Sequence, residues 1–176
     1  IAVLSGFALL VISGVKDSAR VAVGIFVTHI ATLVLFLILG VTYAATHMGG
    51  FVWENMAATQ ELIVKNGNVL EMFYLAFSAS LLGISGFESS ANFVEEQGPG
   101  VFRKTLRNML IGVTIFNPLI ALVVLQCMPY ADITAAKDFL LADAARAIGG
   151  QAFQYLVGVD AFMVLCGAVL TSYVGV

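Results

Sequence analysis

Few residues in this chain are of types that could do chemistry, and most of those stand in apolar surroundings. His29, Glu88 and Asp160 are ionisable groups inside runs long enough to cross a membrane. Around Glu88 the order is Gly83-Ile84-Ser85-Gly86-Phe87-Glu88-Ser89-Ser90, in the middle of the apolar run 72–94. A lipid core supplies no water to a loose backbone or a charge, so a helix interrupted there must face protein or a wet cavity. Gly-interrupted apolar segments are the sequence pointer to the binding site of a secondary transporter.

Two readings of this stretch stand. If 83–88 unwinds, an outer half-helix ends near Leu82 and an inner one begins near Ser89. The first offers a partly negative carbonyl end and the second a partly positive amide end. Both leave backbone groups that a zwitterion or an ion can satisfy. Gly83, Ile84, Ser85, Gly86 and Phe87 are then the expected substrate contacts, with Phe87 covering the ligand and Ser85 offering its hydroxyl. On the other reading, Gly83 and Gly86 are small residues that let helices pack closely.

Each ionisable group also has two uses. A central carboxylate such as Glu88 costs about 2.5 kcal/mol or more to insert. It fits a proton carrier or cation ligand, or a cap on the inner half-helix. His29 lies about 12 Å into its span at 1.5 Å per residue. An imidazole there can exchange a proton near neutral pH or hydrogen-bond a nearby carbonyl. Glu88 and His29, on neighbouring spans, form the expected proton-coupling pair. Asp160 fits an ion-binding outer vestibule, or a carboxylate that snorkels or faces water. Thr171 and Ser172 lie deeper, where their hydroxyls could ligate a cation or bond their own helix carbonyls.

The elements that must position these groups are apolar helices. Of 176 residues, 60% are hydrophobic and 11% charged, against about half and a quarter in soluble domains. The apolar residues fall in blocks of about twenty, the length that spans a bilayer as helix. An all-α polytopic membrane protein follows; the alternating segments of a β-barrel are not evident. The expected spans are a partial one at 1–12, then 21–45, 72–94 broken at 83–88, 108–128 and 153–173, all in one partial transporter domain over 1–176. The short first span predicts a segment of a longer protein. A short surface helix is expected from Met56 to Val64, with Phe51 and Trp53 at the interface, and Pro118 is expected to kink its span. Cys127 and Cys166 read as small buried hydrophobes.

No phosphate-binding loop, metal-ligand spacing or nucleophilic triad is present in the sequence. No enzyme, cofactor or metal is therefore expected, and the basic loops are too short for a nucleic-acid face. The loops at 13–20 and 95–107 hold Lys16, Arg20, Arg103, Lys104 and Arg107. Their density places both in the cytoplasm by the positive-inside rule.

Gly86-Phe87-Glu88-Ser89-Ser90, followed by Val94-Glu95-Glu96, resembles the sixth helix of the amino acid–polyamine–organocation superfamily of permeases. Gly14-Val15-Lys16-Asp17-Ser18-Ala19-Arg20 is similar to that family's lead into helix five. In place of the family's Asn-Pro-Arg-type loop stands Gln97-Gly98-Pro99-Gly100-Val101-Phe102-Arg103-Lys104. The resemblance implies the end of helix four and helices five to eight of a five-plus-five inverted-repeat (LeuT-like) fold. Helix one, which supplies the other half of the family's site, is not among these residues. His29 falls where several proton-coupled members carry a lysine. The function implied is a proton-coupled amino acid permease of a bacterial inner membrane, with an amino acid and protons as partners. An inorganic cation transporter on the same scaffold and a non-transporting membrane subunit are the other readings.

Overall fold

In lipid an isolated apolar segment satisfies its own backbone only as helix. Every element among the described residues is helical. The computed structural model describes residues 15–47, 50–82, 87 and 97–174, with side chains at 21–47, 50–65, 67–80, 87 and 97–168. The elements are α1 (Val15–Thr46), α2 (Val52–Asn66), α3 (Val69–Leu82), α4 (Val101–Cys127), α5 (Tyr130–Ala135) and α6 (Leu140–Val174). Three contain stretches long and apolar enough to cross a membrane: Val21–Thr46, Val101–Cys127 and Leu140–Ala168. At 26 residues, the first rises ~39 Å, more than the ~30 Å hydrocarbon core. The protein is an all-α polytopic membrane protein.

The chain forms two compact units, one from Ile1–Leu39 with Leu141–Val176 and the other from Gly40–Leu140. In the first, α1 packs against α6. Thr32, Leu33 and Phe36 of α1 and Phe153, Val157 and Asp160 of α6 are all buried. Their three- and four-residue spacings put each set on one helical face. Phe36 meets Phe153 with ring centroids 6.1 Å apart. Two turns earlier on α1 and two turns later on α6, His29 meets Asp160. The contacts run in opposite order, so the two helices are antiparallel. Gly150 interrupts α6 at φ 77°, ψ −171°, a conformation essentially confined to glycine. A Cβ on neighbouring Gly149 would stand 2.9 Å from Phe153, so that glycine makes room for the ring that anchors the seam.

In the second unit, the start of α2 closes the end of α4. The last carbonyls of a helix lack partners within it. Here Asn55 donates from Nδ2 to the carbonyls of Leu125 (2.8 Å) and Met128 (2.9 Å), and the Phe51 amide donates to that of Gln126 at 3.0 Å. Gly50, at φ 50°, lies against the same Gln126 carbonyl, where a Cβ would collide with it. α2 ends at Gly67 in the left-handed region, a common helix stop. Asn68 then caps α3, accepting from the Glu71 amide at 3.3 Å while its own amide faces the Glu71 carboxylate at 3.4 Å. This is the reciprocal logic of a capping box.

The helix expected over Met56 to Val64 is longer, because Gly67 and the α4 contacts define its ends. Trp53 is 73% exposed, as an interfacial aromatic would be. Pro118 lies inside α4, which continues through it as one helix.

Candidate functional site

The site is built where α1 and α6 bring two ionisable residues, 131 positions apart, into contact. His29 Nδ1 lies 2.8 Å from Asp160 Oδ2. The Asp160 side chain is 5% exposed and that of His29 31%. An ionised carboxylate only accepts, so beside one Nδ1 carries the hydrogen and donates it. The second carboxylate oxygen, Oδ1, is buried without a hydrogen-bond partner among the described residues.

Local sequence explains why these two find each other. The hydroxyls beside His29 are turned back on α1 itself: Thr28 donates to the Gly24 carbonyl at 2.9 Å and Thr32 to that of Thr28 at 3.1 Å. Such back-bonding is the usual fate of a helix-interior threonine. It leaves the imidazole to seek a partner across the seam. On α6, Phe153, Val157 and Asp160 follow at four and three residues, so the carboxylate points where the apolar side chains point. Burying an unpaired charge in that seam is expensive. A charge-assisted hydrogen bond, roughly twice as strong as a neutral one, offsets part of that cost.

Two expectations therefore change. Asp160 neither snorkels nor faces water, because its α6 position is on the packed face. His29 bonds this carboxylate rather than a nearby carbonyl. The sequence held a signal for the pairing: an intramembrane acid and an intramembrane histidine each need a partner. By sequence Glu88 was as eligible as Asp160, and it is the antiparallel register of α1 and α6 that brings Asp160 to His29.

The remaining site residues are distributed differently. Gly83, Ile84, Ser85, Gly86 and Glu88 lie outside the described residues. Phe87 is helical and half-buried. Thr171 and Ser172 fall in the last part of α6, with side chains outside the described set. No cluster of three or more metal-ligating side chains occurs among the described residues.

Long apolar helices, with an ionisable pair held in their packed seam, define a polytopic membrane protein. Residues 1–176 match the model of the amino acid permease family. The chain belongs to that family, within the amino acid–polyamine–organocation superfamily. No curated protein and no solved structure gives a match.

Proposed function

We propose that the protein is a proton-coupled amino acid permease working by alternating access on a five-plus-five inverted-repeat fold. The family supports an amino acid substrate. The observation that carries the coupling is the bond between His29 and Asp160: a group able to exchange a proton, about 12 Å into a span and tied to a buried carboxylate.

In this reading the substrate ammonium meets the carbonyls ending the outer half-helix, near Leu82 to Ser85, with Gly83, Ile84 and Gly86 forming the bend. Phe87 covers the ligand as part of a gate. His29 gains and loses the coupling proton, and Glu88 holds the start of the inner half-helix. The loops at 13–20 and 95–107 face the cytoplasm of a bacterial inner membrane.

The test is uptake into proteoliposomes under an imposed pH gradient. His29→Ala is expected to abolish proton-driven accumulation; unchanged accumulation with an unchanged pH profile would sink the coupling role. A second reading is a transporter of an inorganic cation, favoured by the unpartnered, buried Asp160 Oδ1. Cation flux that amino acids do not compete with would select it.

A further inference from the structure

The geometry at the α1–α6 seam points to a shared function for its two ionisable residues. We propose that His29 and Asp160 hold the coupling proton as one unit, with His29 Nε2 as the landing atom and Asp160 as the counter-charge that fixes the ring. This rests on the proton-coupled reading above, and it replaces Glu88 by Asp160 as the partner of His29.

The argument starts from charge. With a neutral ring and an ionised carboxylate the pair carries one net negative charge inside the membrane, the costly state. One proton from water forms an N–H bond at Nε2 and brings the pair to net zero as imidazolium and carboxylate. Its departure to the opposite side breaks that bond and restores the negative state. No electron moves, and one charge crosses per cycle. Because the two groups touch at 2.8 Å, a change at either one alters the bond that the other makes.

The His29 side chain is 31% exposed and that of Asp160 5%, so between these two helices the ring is the more reachable partner and Asp160 the fixed charge behind it. The 2.8 Å bond also fixes the tautomer: with the Nδ1 hydrogen on the carboxylate, the acceptor lone pair is on Nε2.

The other titratable groups described on α6 have places of their own. On α1 the other charged residues are Lys16, Asp17 and Arg20, at least nine positions before His29. On α6, Asp143 accepts from Gln154 Nε2 at 3.1 Å. Arg146 lies before the Gly150 break and is exposed, Tyr155 shares a hydrogen bond with Gln151, and Cys166 is six positions beyond Asp160. Among the residues whose side chains are described, Asp143, Arg146, Tyr155 and Cys166 make no ion pair with His29 or Asp160.

The experiment uses the full-length permease in proteoliposomes, probed with each radiolabelled standard L-amino acid. Proton-driven accumulation and gradient-free exchange are measured for wild type, His29→Asn, Asp160→Asn, Asp160→Glu and the double Asn variant. Asp160→Asn is expected to lower accumulation about tenfold or more, and to lower it more than it lowers exchange. The double variant is expected to be no worse than either single, the signature of one unit. Asp160→Glu is expected to recover part of the coupling. If Asp160→Asn accumulates like wild type over the whole pH range while His29→Asn does not, the shared unit is wrong and the permease reading stands. Loss of exchange together with accumulation in both Asp160 variants would make Asp160 a structural pillar and overturn the unit. A wild type that accumulates no amino acid under a proton gradient overturns both readings.

Discussion

Asn55 shows how much one side chain can hold in this molecule. It is 4% exposed, and its amide satisfies two carbonyls at the end of α4, of Leu125 in the last turn and of Met128 just after it, that lipid could not satisfy. Asn55→Ala leaves both acceptors bare and is expected to lower stability by about 1–3 kcal/mol. Asn55→Asp is expected to cost more, since an acceptor would face two acceptors. Thermal unfolding in detergent checks both, and an unchanged midpoint for Asn55→Asp would overturn the capping role. His29 and Asp160 belong to the same scale but the opposite logic. Asn55 and Asp160 each keep one oxygen without a partner among the described residues, but Asn55 joins two backbone carbonyls while Asp160 joins a side chain that can carry a proton.

At the scale of elements, glycines decide how helices bend and approach. Gly150 takes a conformation that a Cβ opposes, so Gly150→Ala is expected to cost about 1–3 kcal/mol. It is also expected to disturb the seam just beyond it, readable as weaker coupling of uptake to the proton gradient. Gly40 is buried, and a Cβ there would overlap the Val123 side chain. Gly40→Ala is therefore expected to destabilise by about 1–3 kcal/mol. Val123→Ala added to it is expected to recover part of that loss, because the two sites share one contact. Additive losses in that double-mutant cycle would show that the contact is not what sets the cost.

For the whole molecule, the testable property is how it sits in the bilayer. Cys127 and Cys166 are 3% and 6% exposed, so native thiols give a low labelling background. Cysteines placed at the exposed positions Lys104 and Gln60 are then expected to react from opposite sides of the membrane. Lys104→Cys should be reached by a membrane-impermeant maleimide only from the cytoplasm, and Gln60→Cys only from outside. Labelling of both from one side would overturn the orientation.

The sequence by itself determined the class of the molecule. Blocks of about twenty apolar residues leave helix as the backbone solution in lipid, and Gly86 to Ser90 with Val94-Glu95-Glu96 carried the family. It also marked His29, Glu88 and Asp160 as ionisable groups inside apolar runs. Helix ends were less legible. Gly67 and Asn68 are local stop and start signals, but Asn55 and Gly50 act on carbonyls some seventy positions away. Only the tertiary structure decided that His29 meets Asp160. Their contact spans 131 positions, a distance over which helical periodicity carries no information. It depends on the antiparallel register that Phe36 and Phe153 fix two turns away, and that register is a property of two packed faces rather than of either sequence segment alone.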